Sequence, residues 1–469
     1  MRVRVQALSI GLLALAVVVA AMFLASPSLV SAPGSSQAAN GSGAPNGPGG
    51  SGSPTTPTIP PTPTPRPLEG GTELYGYLPY WQMSATVATY LQGAPLSTLA
   101  LFSVTARKSG AIDTKPLGYR RITGAIGQQL IAEAHGRGER IDIVFSSFGA
   151  TRNGQLFGRI PITTPTPSPS PGPLASVGPL ASLGIPLPTA ETTPVPSPTV
   201  PPIAPWHRTV SDLVALATQL GVDGINVDVE QLDPQDLAAY GQFLGALRPA
   251  LLAANPHATL TVATEAGSLG VAKASTASAA GVDRIFLMGY DYHWSGSAPG
   301  ASAPVDRLDG TATLRWSIDE YVDAGVPRDR IILGLPLYGM TWRVSAPLRT
   351  APVIGNGITW IPSQHLDLLL DPTFLPLRDR YEQVESFDVS DGPDWLLTFY
   401  DSPDTLRPKL ALARDNGLAG AGFWAMGYDR GLPGYQELMQ AFRAGNVSRN
   451  EAPPRPSPSP DDSEASPSP

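Results

Sequence analysis

Short apolar runs alternate with helical patterns through the middle of the chain. The runs at 74–79, 98–104, 140–147, 224–230, 259–264, 284–290, 331–337 and 420–426 read as strands. Helical periodicity at 122–137, 210–220, 234–253, 271–279, 313–324, 403–416 and 433–444 lies between or after them. Eight strands with intervening helices predict a (β/α)8 TIM barrel rather than an open doubly wound sheet. Residues 342–399 hold further strand-like pieces at 357–361, 381–387 and 395–400. They predict a small α+β insertion between strands seven and eight, walling one side of a cleft.

The fourth run is unlike the others. In Asp223-Gly224-Ile225-Asn226-Val227-Asp228-Val229-Glu230, side chains alternate, so Ile225, Val227 and Val229 share one face. That face suits packing under helices. Gly224, Asn226, Asp228 and Glu230 share the other, which climbs from a small residue through an amide to two carboxylates. Asp233-Pro234 is a helix start signal, so Glu230 ends a strand at the carboxyl face of a barrel, where active sites sit. Carboxylates two residues apart on one strand face stand about 6–7 Å apart. A carboxyl group among apolar side chains has its pKa raised and stays available as a general acid near neutral pH. Glu230 is the expected proton donor, and Asp228 the charged partner that offsets a developing cation. Caps and surface pairs explain single acids at strand ends, but not three polar groups turned inward at a desolvation cost.

Composition divides the chain. Of 469 residues, 52 are proline and 48 glycine, too many for one evenly folded body. Much of the excess lies in residues 33–70, 161–205 and 447–469, which cannot bury enough apolar surface to offset ordering. The first reads as a linker, the second as a disordered insertion on the active-site side, the third as a disordered tail. What remains, 71–446, suits one large catalytic domain. Arg2 and Arg4 precede an apolar run over 7–25, with Val30-Ser31-Ala32 as a small-residue cleavage site. Residues 1–32 therefore read as a signal peptide or a retained membrane anchor, either placing the rest outside the cytoplasm.

The formal net charge is −8 with no long basic run, which gives no reason to expect nucleic acid as partner. There is no cysteine, and the five histidines form no HxxxH pair, so neither a metal site nor a cofactor is expected. A monomer acting on an uncharged or mixed polymer fits this composition.

The octet resembles the DGxDxDxE signature of glycoside hydrolase family 18, the chitinase-like (β/α)8 enzymes. Further resemblances stand in order at Gly76-Tyr77-Leu78-Pro79-Tyr80-Trp81, Ser146-Ser147-Phe148-Gly149, Met288-Gly289-Tyr290-Asp291, Gly334-Leu335-Pro336-Leu337-Tyr338-Gly339 and Gly422-Phe423-Trp424. They cover 74–443 apart from the proline-rich insertion. The resemblance implies substrate-assisted retaining hydrolysis of β-1,4-linked N-acetylglucosamine-containing glycans, a departure from the usual two-carboxylate scheme. It implies Glu230 as acid and then base, Asp228 as clamp on the acetamido N–H, and Tyr290 as donor to the acetamido carbonyl. Trp424 would floor the sugar, with Met288 and Asp291 lining it. Tyr77 is either a ligand contact or a hydrogen-bonding group low in the barrel.

Asn226 stands where many chitinases have a second Asp. Its amide is expected to donate to Asp228 and keep it ionised. Together with the run Tyr290-Asp291-Tyr292-His293-Trp294, this form is similar to the spore-germination branch acting on peptidoglycan-type polymers. Chitin and peptidoglycan both stay open as substrate. A non-catalytic, lectin-like barrel is the alternative; such relatives usually lose the acid, which this chain keeps.

Overall fold

The computed structural model describes residues 72–160, 203–308 and 310–447. Strands β1 (Glu73–Pro79), β2 (Thr98–Val104), β3 (Arg140–Phe148), β4 (Gly224–Glu230), β5 (Thr259–Glu265), β6 (Arg284–Met288) and β7 (Ile331–Pro336) come first. Strands β8 (Gly339–Val344), β9 (Ile358–Trp360), β10 (Leu377–Asp379), β11 (Val384–Asp391) and β12 (Asp394–Tyr400) interrupt the repeat before β13 (Gly420–Trp424). The first seven and β13 close a parallel barrel in the order β1-β13-β7-β6-β5-β4-β3-β2. The expected (β/α)8 barrel is the fold of this chain, and β8 to β12 form a separate five-stranded sheet inserted before β13.

Packing follows from the patterns that predicted the strands. β1, β2, β4 and β7 are buried at every position, as strands covered on both faces must be. The helix Leu237–Ala254 buries Tyr240, Phe243, Leu244, Leu247 and Leu251, a single stripe that packs on the barrel. Asp233 accepts from the Gln235 N–H at 2.9 Å and starts a turn of 3-10 helix ahead of it. Inside the barrel, space is tight. A Cβ on Gly224 would come within 2.3 Å of Asp142 Oδ1, and one on Gly334 within 2.3 Å of the Phe286 ring. The glycine that opens β4 is therefore a steric requirement of the barrel interior.

Three short helices, Ala85–Leu91, Leu117–Thr123 and Ala150–Leu156, escape the periodicity reading because about two turns carry too little of a stripe. The inserted sheet begins at Gly339, directly after the turn that ends the seventh barrel strand, and runs to Tyr400. Its own small core holds Met340, Trp342, Val344, Val384, Leu397 and Phe399.

The expected location outside the cytoplasm, either secreted or held by an N-terminal membrane anchor, needs correction as to the anchor. Among the described residues no helix is long and apolar enough to cross a membrane. The apolar run at 7–25, the linker at 33–70, the greater part of the 161–205 insertion and the tail after 447 lie outside the described residues.

Candidate active site

Alternation along β4 puts Asn226, Asp228 and Glu230 on the barrel's inner side, where they meet side chains from other strands. Asn226 Nδ2 donates to the hydroxyls of Tyr75 and Tyr77 at 3.0 and 2.7 Å. Tyr75 in turn donates to Asp142 Oδ2 at 2.8 Å. The expected donation from Asn226 to Asp228 is thus replaced by bonds across the barrel to β1. Two residues apart on a strand point the same way, while the tyrosines point at the amide. The Oδ1 atoms of Asn226 and Asp228 are both buried and receive no hydrogen bond from the protein.

Asp228 and Glu230 are 4% and 7% exposed, and among the described residues no ion pair neutralises either. Burial raises the Asp228 carboxyl to about 7, with the Lys273 ammonium pulling it down and Glu265 pushing it up. Burial also pushes Glu230 well above the usual carboxylate range, helped by the charges of Asp228 and Glu265. As neighbouring acids, each of the two ionises less readily once the other is charged.

The rest of the predicted set gathers around this pair. Met288 ends β6, beside Glu265 in the sheet register. Tyr290, just beyond that strand, is buried, and the charges of Asp228, Asp291 and Glu230 all bear on its hydroxyl. Asp291 accepts from the Tyr338 hydroxyl at 2.5 Å, and its N–H donates to Ser302 Oγ at 3.0 Å. Burial raises its carboxyl to about 6. Trp424, half-buried at the end of β13, lies edge-on to Phe102 with centroids 4.8 Å apart, and 5.5 Å from the Tyr77 ring. Tyr77 also packs on Phe286 at 4.8 Å, so it is a wall of the interior as well as a neighbour of Trp424.

Gln231 and Asp291 have φ of 55° and 60°, a left-handed conformation unusual for residues other than glycine. Each follows a candidate residue, Glu230 in one case and Tyr290 in the other. Strain of this kind is tolerated where surrounding structure over-determines it and clusters at functional sites.

Several residues here were not read from the sequence. Asn153 Nδ2 donates to the Glu230 carbonyl at 2.6 Å, and Ser147 Oγ donates to Asn153 Oδ1 at 2.7 Å. The Ser146-Ser147-Phe148-Gly149 stretch therefore fixes the main chain of Glu230 through Asn153. Glu265 ends β5 in line with inward-facing Thr261 and Ala263, the same polar-ending alternation that marks β4. That pattern was legible. Lys273 was not, since a lysine on an alanine-rich helix looks like a solvated one.

The model for glycosyl hydrolases family 18 matches residues 207–429, which span β4 through β13 and the pair's surroundings except Asn153 and those from β1 to β3. Over these residues the chain is similar to family 18 glycosyl hydrolases. It is 26% identical over 230 residues to the cortical fragment-lytic enzyme of Bacillus subtilis, covering 47% of this chain and 50% of that one. It is 28% identical over 239 residues to endochitinase 1 of Metarhizium robertsii, covering 47% and 55%. The chain thus spans about half the length of these relatives. Among solved structures, a family 18 chitinase from Cycas revoluta in complex with (GlcNAc)3 superposes with a TM-score of 0.57 at 16% identity, over 80% of this chain and 98% of that one. The likeness is one of fold, and it extends over the amino-terminal strands that the family match leaves out.

Proposed function

We propose that this protein hydrolyses β-1,4-linked N-acetylglucosamine-containing glycans, of chitin or peptidoglycan type, by substrate-assisted retention. The observation that carries the reading is the buried, unneutralised pair Asp228 and Glu230 at the carboxyl end of β4. In this reading Glu230 gives its proton to the glycosidic oxygen as the bond to the anomeric carbon breaks. The acetamido carbonyl of the same sugar forms the replacing bond, giving an oxazolinium ion. Asp228 accepts the acetamido N–H, and its negative charge offsets the cation where low dielectric makes that interaction strong. Water then attacks the anomeric carbon as its bond to the acetamido oxygen breaks, Glu230 takes a proton from the water, and configuration is retained.

The remaining roles follow from position. Tyr290, kept neutral by burial, is available to donate to the acetamido carbonyl. Trp424 offers a half-exposed ring to a sugar face, with Met288 and Asp291 alongside. Tyr77 serves the site through Asn226 and Trp424.

The test is to incubate the protein and its Glu230→Gln variant with chitooligosaccharides and with purified peptidoglycan, following products and their initial anomeric configuration. The expected result is retained products from the parent and at least a thousandfold less from the variant. Equal turnover would remove Glu230 from the mechanism, inverted products would remove the acetamido step, and binding without cleavage by the parent would favour a lectin-like protein.

A further inference from the structure

Beside the two carboxyls lies a charged pair that the hydrolytic steps do not use. Lys273, on the helix Ser268–Ala279, is fully buried. A buried ammonium needs acceptors for its protons. Lys273 has the Val229 carbonyl at 2.5 Å, and it forms an ion pair with the Glu265 carboxylate. Val229 is the residue between Asp228 and Glu230. Glu265 stands at the end of the neighbouring strand, two residues beyond Ala263, which pairs with Asp228. Its side chain keeps partial exposure toward the barrel mouth, whereas that of Lys273 has none.

We propose that Glu265 and Lys273 act as a charge pair that sets the ionisation of the neighbouring Asp228–Glu230 couple as a whole, the Lys273 ammonium favouring the ionised form of both acids and the Glu265 carboxylate the protonated form of both. Both are positioning residues, and the inference rests on the hydrolytic reading of the couple. A purely structural clamp accounts for the bond to Val229 but gives no reason for its charges. Replacing a buried ion pair by apolar groups of similar volume is often neutral or stabilising.

The surroundings leave the pair in control. Tyr77 from β1, Tyr240 from the helix Leu237–Ala254 and Tyr290 after β6 all face the couple, and burial pushes each hydroxyl up so that it stays neutral. Asp291 adds a negative influence on Glu230. Lys273 is the cation that acts on both members of the couple.

The experiment measures kcat/KM against pH for the full chain and for Lys273→Met, Lys273→Arg and Glu265→Gln. Loss of the ammonium is expected to move both limbs of the bell up by about one pH unit, and loss of the Glu265 charge to move both down by a similar amount. Lys273→Arg, which keeps the charge, is expected to restore the parent profile. Opposite shifts cannot come from a general loosening of the site. Shifts in the same direction, or lower rates on an unmoved profile, would overturn the inference. Carboxyl titration by 13C NMR, with Asp228→Asn for assignment, gives the same readout without turnover. If the parent cleaves no glycan, the hydrolytic reading falls, and unmoved carboxyl titrations in both variants would separately sink this one.

Discussion

At the amino end of the barrel, Glu73 is paired with Arg284 across from β1 to β6, and Asp223 accepts from the Ile141 N–H with His135 Nε2 at 2.8 Å. Arg140 donates there to the carbonyls of Asp223 and His257, both at 3.0 Å. Five residues further along the same stretch, Asp228 leaves an oxygen without any donor, and Glu230 has no cation of its own. The chain thus buries Glu73 and Asp223 with partners at one end, whereas at the other Asp228 and Glu230 have no ion pair among the described residues although Lys273 and Glu265 pair beside them. Burying an ion unpaired costs several kcal/mol, which packing must offset elsewhere. Paired charges hold strands in register, and unpaired ones leave open valences for a substrate proton and a sugar N–H.

The sharpest way to break this contrast is to exchange the acid for its amide. Glu230→Gln is expected to lower kcat by three orders of magnitude or more while leaving the thermal midpoint unchanged or higher, because an amide has no ionised form to desolvate. Calorimetry beside the rate assay checks both halves. A variant that lost stability together with activity would make Glu230 a structural residue after all.

Arg284→Met tests the opposite end. It leaves Glu73 buried without its partner and is expected to cost about 3–5 kcal/mol in denaturant unfolding. Its kcat/KM at a temperature where it remains folded should stay within a fewfold of the parent. A large loss of activity in the folded variant would deny that the two ends do separate work.

Asp228 lies between these cases, since it should be both functional and destabilising. Its folded-state pKa is raised to about 7, so the folded chain holds that proton more tightly than the unfolded one. The stability this proton contributes is fully present below about pH 4 and is lost as pH rises through 7. Asp228→Asn removes that loss. It is expected to stabilise the fold by on the order of 1–3 kcal/mol at pH 8 and by much less at pH 5, while abolishing turnover. Equal effects at the two pH values would show that Asp228 carries a stabilising partner in solution.

The barrel was legible because parallel strands covered on both faces are near-continuous apolar runs. The run from Ile331 hides the start of the inserted sheet, since Leu337 and Tyr338 join β7 to β8 without a Pro or Gly pair. Three-residue β10 has no pattern to find. In the candidate site, Asp228 and Glu230 stood out as the polar face at the end of β4, while Tyr290 and Trp424 were named only through the family resemblance. Lys273 could not be named, because its burial depends on how a helix sits against β4 and β5. Asn226 was given the wrong neighbour. Proximity along a strand suggested Asp228, whereas the barrel's closure brought two tyrosines from β1.

That misplacement changes what Asn226→Asp should do, and the expected effect is the smallest of the set. As an amide, Asn226 donates to both tyrosine hydroxyls, leaving Tyr75 free to donate to Asp142. A carboxylate there can only accept. Tyr77 can turn its proton to the new group, but Tyr75 must choose between it and Asp142, whose own carboxyl burial already raises to about 6. One of the acids then keeps a proton, and any residual negative charge makes Asp228 harder to ionise. The acid limb of kcat/KM is therefore expected to move upward by less than about one pH unit, with the rate at the optimum falling no more than severalfold. An unmoved acid limb would mean that the proton on residue 226 or Asp142 isolates Asp228 from the change, and that the amide's service ends at the two tyrosines.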